Sequence, residues 1–333
     1  MRIFVTGGAG YIGSHTVVAL LKARHQVEII DNYSNSSAEV LERVEQVAGR
    51  QCKAHEADVT DLPKLTKILA EFKPDMVLHL AGRKSVEESV ERPDFYYQQN
   101  VVGTLNLLGA MDECGCKHII FSSSATVYGA PEHLPIPEEH RTAPFNPYGH
   151  SKLDAEREVS KWVDSATDKS AILLRYFNPV GAHASGQIGE NPKGRPDNLF
   201  PFLTQVAAGI RSHLNIYGDD YDTPDGTGVR DYIHITDLVE GHIAALHFAK
   251  NNKGVEIFNL GTGRGYSVSE VVAAFESATG QIVQYEIKKR RAGDIASCYA
   301  DPTKAWEKLG WKAEKNLEQM CRDGWRWQAA LPR

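Results

Sequence analysis

The chain is poor in the residues that staple small folds or hold metals. Its five cysteines among 333 residues (Cys52, Cys114, Cys116, Cys298 and Cys321) are scattered, odd in number and form no C-x-x-C pair. That excludes a disulfide framework and makes reduced thiols the default. Thirteen histidines show no H-E-x-x-H or comparable spacing, so neither a structural nor a catalytic metal is expected. No apolar run approaches the roughly 18 residues of a membrane span, and no signal-peptide pattern precedes Ile3. The first predicted strand begins almost at Met1, so no targeting segment or membrane partner is expected and the protein should be cytoplasmic. Net charge is −6, with no basic cluster beyond Lys288 to Arg291, which argues against nucleic acid as a partner. There is no internal repeat and no low-complexity tract.

What is present is the composition of an ordinary globular protein, 42% hydrophobic and 24% charged. One stretch organises it. Ile3, Phe4 and Val5 form a short apolar strand, followed by Thr6-Gly-Gly-Ala-Gly-Tyr-Ile-Gly13. Tyr11 to Ala23 then reads as a helix and Gln26 to Asp31 as a second strand ending in an acid. A strand–glycine turn–helix–strand unit is the context that makes a glycine pattern a dinucleotide site. Gly8, Gly10 and Gly13 fit G-x-G-x-x-G, and Gly7, Gly10 and Gly13 fit G-x-x-G-x-x-G. Such a turn lets backbone approach a pyrophosphate while the next helix offers unpaired N–H groups to the anion. Asp31 stands eighteen residues beyond Gly13, near the spacing of an acid that holds ribose hydroxyls. An acid there repels a 2′-phosphate, so NAD is favoured over NADP. The plain alternative is a glycine turn that merely packs a helix on a sheet.

Further along, Asn32 to Ser37, including Asn35 and Ser36, is a polar loop where a ribose could lie. A helix over Val40 to Val47 and a strand over Gln51 to Glu56 follow. Asp58 and Val59, just past that strand, are candidates for an adenine pocket, although Asp58 reads equally well as the cap of a helix over Leu62 to Phe72. Met76 to Leu80 is a buried strand ending in Ala81-Gly82, small residues where a cofactor could pass. Asp94 to Met111 reads as one long helix, His118 to Phe121 as a strand, Tyr148 to Val163 as a helix opened by Pro147, and Ala171 to Tyr176 as a strand.

This alternation up to about residue 180 predicts an α/β fold, a doubly wound parallel sheet of Rossmann type. The division expected is a dinucleotide-binding domain over 1–180 and a smaller, mainly substrate-binding C-terminal lobe over 181–333, from which the chain could cross back to the sheet. In that lobe Gly186 to Asn198 and Gly218 to Gly228 read as long loops. Helices are predicted at Leu199 to Ile210, Ile235 to Ala249, Ser267 to Ser277 and Thr303 to Leu309, and strands at Leu214 to Tyr217 and Glu256 to Leu260.

Chemistry concentrates at Tyr148-Gly-His-Ser-Lys152. Positions four apart share a helix face, so the Tyr148 hydroxyl and the Lys152 ammonium can occupy one site. A free tyrosine ionises near pH 10. A neighbouring ammonium and the positive charge of an oxidised nicotinamide would favour the phenolate, a base matched to an alcohol proton. Ser124, beyond a strand end, can hold the reacting oxygen. Its neighbours Ser122 and Ser123 blur that assignment, and a turn or cap serine is the plain alternative.

Thr6 to Gly13, Ser124 and Tyr148-x-x-x-Lys152 resemble the extended short-chain dehydrogenase/reductase family. Ser122-Ser-Ser-Ala-Thr-Val-Tyr-Gly129, Leu174-Arg-Tyr-Phe-Asn-Pro-Val-Gly-Ala182, Asp225-Gly-Thr-Gly-Val-Arg-Asp-Tyr-Ile-His234 and Arg290-Arg-Ala-Gly-Asp294 narrow the resemblance to its UDP-hexose 4-epimerases, over essentially the whole chain. The resemblance implies reversible epimerisation at carbon 4 through a 4-keto sugar, with NAD tightly held. Tyr148 would take the 4-hydroxyl proton, Ser124 would orient the oxygen, and Lys152 would hold the ribose and bias Tyr148 towards phenolate. It places Tyr11, Ile12, Asp31, Asn32, Asp58, Val59, Leu80, Ala81, Gly82, Lys84, Ser122 and Phe177 around NAD, with Gln99 where the family often carries an asparagine.

By the same resemblance Lys84, Asn178, Asn198, Leu199, Tyr217, Arg230, Arg291 and Asp294 match substrate-binding positions. Two arginines suit a diphosphate, through bidentate hydrogen bonds; a surface ion pair is the plain alternative for either. Cys298 stands where some relatives carry a tyrosine beside the sugar, which implies room for UDP-N-acetylhexosamines. A homodimer pairing Asp94–Met111 with Tyr148–Val163 is also implied. Ala125 and Thr126 replace the acid pair that the family's dehydratases carry after the serine, while a decarboxylase and a non-catalytic NAD-binding regulator remain as alternatives.

Overall fold

A computed structural model describes residues 1–291 and 293–331; Ala292 of the Arg290–Asp294 motif lies outside them. The chain opens β1 (Arg2–Thr6), α1 (Tyr11–Lys22), β2 (Gln26–Asp31), α2 (Glu39–Ala48), β3 (Lys53–Glu56), α3 (Leu62–Phe72) and β4 (Met76–His79). Next come α4 (Val86–Glu91), α5 (Pro93–Tyr97), a π-helical turn (Gln98–Val102), α6 (Gly103–Cys114), β5 (His118–Ser124), α7 (Pro147–Asp164) and β6 (Ser170–Tyr176). Then follow β7 (Asn178–Val180), α8 (Leu199–Ala207), β8 (Leu214–Tyr217), β9 (Val229–His234), α9 (Ile235–Asn251) and β10 (Gly254–Leu260). β11 (Gly265–Ser267), α10 (Val268–Thr279), β12 (Tyr285–Lys288), β13 (Ser297–Cys298), α11 (Thr303–Leu309) and α12 (Leu317–Ala330) complete it.

The main sheet has seven strands in the order β3-β2-β1-β4-β5-β6-β10, and the pairings from β3 across to β5 are parallel. Strand order runs outward in both directions from β1 and β4. This is the doubly wound Rossmann arrangement, with the crevice for a dinucleotide at the strand ends where the order reverses. Parallel strands covered on both faces must be apolar throughout, and β1, β4 and β5 are buried along nearly their whole length. Phe4, Leu65, Leu69, Val77, Leu107, Met111, Ile119, Val159 and Leu173 form one continuous cluster, drawn from the sheet and from α3, α6 and α7.

Two compact units emerge: residues 1–129, 141–175 and 239–258, and residues 130–140, 176–238 and 259–333. The division expected at residue 180 is therefore crossed more than once. The segment 130–140 leaves the first unit and 239–258 returns to it, because β10 takes the edge position next to β6. Sheet membership is set by a distant partner strand, which local composition does not reveal. In the second unit β9 pairs with β7, β11 and β13, and β8 pairs in parallel with β12. Leu203, Ile216, Tyr232, Val271, Phe275, Leu317 and Met320 supply its core.

Three further differences from the sequence reading are local. The helix expected over Asp94 to Met111 is one continuous helical run over 93–114 whose middle turn is π rather than α, and α4 and α12 join the predicted elements. A Cβ on Gly103 would sit 2.7 Å from Val59 Cγ2, so α6 lies close against the loop after β3. The cap of α3 is Asp61, whose side chain accepts from Lys64 N at 3.2 Å, and not Asp58.

Candidate active site

The glycine loop is built by close approach of backbone to backbone. Gly7 has φ +71°, and a Cβ there would lie 2.8 Å from Ala81 N. A Cβ on Gly13 would sit 2.0 Å from Gly7 O, so α1 can start this close to the loop only with hydrogen at that position. Gly10 caps α1 with no side-chain hydrogen bond to its free amides, leaving the helix end open to an anion. Asp31 is buried and already accepts from Ala9 N, Tyr33 N and Ser36 Oγ, each at 2.9 Å. Asn32 Nδ2 donates to Asp58 at 2.5 Å, and Thr60 donates to the same carboxylate. Burial pushes the Asp58 carboxyl up, but those hydrogen bonds and the Arg83 charge outweigh it, holding the group below its ordinary range. A glycine-rich loop, an uncapped helix end and a buried acid at the end of β2 together fit a dinucleotide.

The reacting group is assembled on α7 and β5. Asn146 caps α7, accepting from Gly149 N at 2.8 Å, and Pro147 fixes the first turn. That sets Tyr148 and Lys152 on the buried face, 9% and 6% exposed. The Tyr148 hydroxyl hydrogen-bonds with Ser124, and Lys152 Nζ donates to Ser122 O at 2.8 Å. Of the three serines, Ser124 is the partner of Tyr148; the side chain of Ser123 turns instead to Glu156.

Burial raises the Tyr148 phenol above its ordinary value, and the Ser124 hydrogen bond and the Lys84 charge pull it part of the way back. Lys84, after β4, is thus a cation that acts on this phenol. Lys152 is itself brought down to about 8 by burial, against the Glu156 charge that raises it. The low pKa follows from removing an ammonium from water.

Gln99 lies in the π turn and is half-buried. The residue turned inward is its neighbour Asn100, which sequence reasoning missed. Asn100 Oδ1 accepts from Arg83 N at 2.7 Å, and its Nδ2 donates to Ser151 Oγ at 2.8 Å and Arg83 O at 3.1 Å. A Cβ on Gly82 would meet Asn100 Oδ1 at 3.0 Å and Lys152 Nζ at 3.4 Å. Asn100, Gly82 and Lys152 thus share one corner. The extra residue of a π turn shifts the phase of the helix, so the inward position cannot be read from a 3.6-residue period. Leu80 and Ala81 follow β4, and Ala81 N donates to Thr6 Oγ1 at 3.1 Å.

Within the second unit, Phe177 is buried, its N–H donating to Leu260 O at 3.2 Å. Asn178 is exposed on β7, and Asn198 precedes α8, donating to Glu190 at 3.1 Å, with Leu199 next to it. Arg230 stands opposite Cys298 in the β9–β13 pairing and donates to its neighbour's carbonyl, Val229 O, at 2.8 Å. Cys298 is 9% exposed, and burial pushes its thiol up to about 11. Arg291 stacks on Tyr217 at 4.7 Å and pairs with Asp294 at 2.9 Å. Arg290 stacks on Tyr221 at 4.1 Å and pairs with Asp220 at 2.6 Å. Both exposed arginines therefore stand in ion pairs on aromatic rings.

A family model described as GDP-mannose 4,6 dehydratase matches residues 4–324. The chain is 51% identical over 330 residues to the UDP-glucose 4-epimerase of Bacillus subtilis, covering 99% of this chain and 97% of that one. It is 50% identical over 338 residues to the human UDP-glucose 4-epimerase, covering 99% and 97%. The chain belongs to the UDP-glucose 4-epimerase family. Among solved structures of this family, the Bifidobacterium longum enzyme in complex with NAD+ and UDP superimposes with a TM-score of 0.96 at 50% identity, covering 99% of this chain and 98% of that one. The Stenotrophomonas maltophila enzyme, with bound NAD and formylated UDP-arabinopyranose, gives 0.97 at 47% identity and the same coverage. The whole fold that carries the glycine loop, Ser124, Tyr148 and Lys152 in this chain is thus shared with these two epimerases.

Proposed function

We infer that the protein epimerises carbon 4 of UDP-hexoses, interconverting UDP-glucose and UDP-galactose through a 4-keto sugar, with NAD held throughout. The observation that carries this reading is the buried Tyr148 in hydrogen-bond contact with Ser124, beside Lys152, on a chain half identical to epimerases of that name. NAD, when bound, supplies a reversible hydride acceptor and a cationic ring. Tyr148 takes and returns the proton of the 4-hydroxyl, and Ser124 orients that oxygen. Lys152, donating to Ser122 O, is fixed to hold a ribose hydroxyl. Gly7, Gly10, Tyr11, Ile12 and Gly13 cradle the pyrophosphate, while Asp31, Asn32, Asn35, Ser36, Asp58 and Val59 surround the adenosine half. Arg230 and Arg291, with Tyr217 and Asp294, bind the UDP diphosphate, where a guanidinium fork matches phosphate oxygens.

Ala125 and Thr126 follow the end of β5, and Thr126 Oγ1 is spent on Ser124 Oγ at 3.0 Å. Neither offers the acid that expelling water from a sugar requires, which favours epimerisation over dehydration. The small buried Cys298 beside Arg230 supports acceptance of UDP-N-acetylglucosamine and UDP-N-acetylgalactosamine as well. A homodimer is supported by the apolar side chains of Tyr97 and Leu105, 51% and 42% exposed on α5 and α6. Five free cysteines suit a reducing cytoplasm. Among the described residues no helix is long and apolar enough to cross a membrane.

Purified protein incubated separately with UDP-glucose and UDP-N-acetylglucosamine should yield the galacto epimer of each. Absence of UDP-galactose would refute the activity. An unchanged preference between the two sugars in Cys298→Tyr would refute the role given to Cys298.

A further inference from the structure

α7 meets the end of β5 at three successive turns. Tyr148, Lys152 and Glu156 are spaced by four residues and stack on one helix face. Tyr148 engages Ser124, Lys152 Nζ donates to Ser122 O at 2.8 Å, and Ser123 Oγ donates to Glu156 Oε1. From β6 the Arg175 guanidinium clamps the same carboxylate, Nε to Oε1 at 3.0 Å and Nη2 to Oε2 at 2.7 Å. Glu156 and Arg175 are each 3% exposed. Lys152 is thus buried one helical turn from a carboxylate that Arg175 clamps.

We propose that Glu156, held in place by Arg175, is a positioning residue for the epimerisation: its carboxylate keeps Lys152 an ammonium and locks the Ser122–Ser124 strand end against Tyr148. This rests on the reading that Lys152 works as an ammonium. A buried ion pair adds little to stability over an apolar pair of the same shape, so fold stability alone does not account for placing one a single turn below a working lysine. The other groups around Lys152 cannot replace the anion. On β4, His79 accepts or donates between Thr6 and Thr104 at 2.7 and 2.9 Å and is kept neutral, its pKa pressed down to about 3 by burial and by Lys152 itself. β5 offers the Phe121 ring at 5.2 Å and the Ser122 carbonyl. The Asn100 amide on the π turn is neutral, Arg175 on β6 is cationic, and Tyr148 is an anion only while it waits to take the 4-hydroxyl proton, whereas Glu156 is a carboxylate throughout the cycle. Glu156 is the carboxylate that raises Lys152.

The experiment is the pH dependence of kcat/KM in Glu156→Gln and Arg175→Gln, beside the wild type and Lys152→Met. Activity falls at alkaline pH as Lys152 loses its proton, near its value of about 8. Glu156→Gln removes the anion and leaves Arg175 cationic, so Lys152 deprotonates earlier and the alkaline limb moves down by about one pH unit or more. Arg175→Gln leaves Glu156 to Lys152 alone, and the limb moves up. The pH above which NAD is lost on gel filtration shifts in the same two directions.

A merely structural role lowers activity equally at every pH, and unmoved limbs in both variants overturn the proposal. Should Glu156→Gln fail to fold, the upward shift in Arg175→Gln decides. Lys152→Met separates the two layers. If it abolishes turnover while the limbs stay put, only the role of Glu156 falls. If it leaves turnover intact, the reading of Lys152 falls and the proposal with it.

Discussion

The β5–α7 wall and the arginine cluster of the second unit handle charge in opposite ways. At the wall, Tyr148, Lys152, Glu156 and Arg175 are almost out of reach of water, each at most 9% exposed, and each is held by a protein partner. In the cluster, Arg290 and Arg291 are about half exposed and lie on tyrosine rings, their guanidiniums paired with Asp220 and Asp294. Buried charges are expensive to misplace, and a buried group deprived of its partner is strongly penalised. Exposed pairs are weak and screened by salt, so they exchange partners readily. The wall is fixed in place, whereas the exposed pairs of the cluster can exchange their acids for another anion, as the proposed diphosphate role requires. Substitutions in the first should therefore act on turnover or cofactor retention, and substitutions in the second on substrate affinity.

The largest effect outside the reacting group is expected from Gly13→Ala. Its new Cβ would sit 2.0 Å from Gly7 O, forcing α1 away from the loop. NAD should be lost on gel filtration and stability should drop by about 1–3 kcal/mol, seen in denaturant unfolding. NAD retained at wild-type level would show that the loop does not form the cradle described. Next comes Arg291→Ala, which sharpens the contrast. KM for the UDP-sugar should rise roughly tenfold to a hundredfold, the size of a lost charge-assisted hydrogen bond, with kcat little changed. A fall in kcat at constant KM would place Arg291 with the wall instead. The smallest is Asp61→Ala, which removes the α3 cap. It should cost about 1 kcal/mol in thermal unfolding and leave kinetics alone; a change in KM would show that the cap also orders the Asp58 loop.

Much of the candidate site in the first unit is legible in the sequence because its signals are local. The glycines between β1 and α1, the acid ending β2, and the tyrosine and lysine one turn apart after Pro147 are all set by short spacings. What stayed hidden depends on partners far along the chain. Glu156 reads as a surface acid of a helix until Ser123 and Arg175 are seen to converge on it. The resemblance points to Gln99, one residue before Asn100, whose inward turn within the π turn no local spacing shows. Segment 130–140 and β10 change unit through pairings that composition does not carry. α12 has a mixed run, with Gly324 and two tryptophans, whose apolar stripe becomes evident only beside the α10 side chains that share its core.

Turnover and cofactor content of Tyr148→Phe test the central claim most directly. The substitution keeps the aromatic ring and its packing while removing the hydroxyl that meets Ser124. The account predicts that this variant retains NAD through gel filtration while converting UDP-glucose to UDP-galactose at least about a hundredfold more slowly. Epimerisation at the wild-type rate in that variant would contradict it.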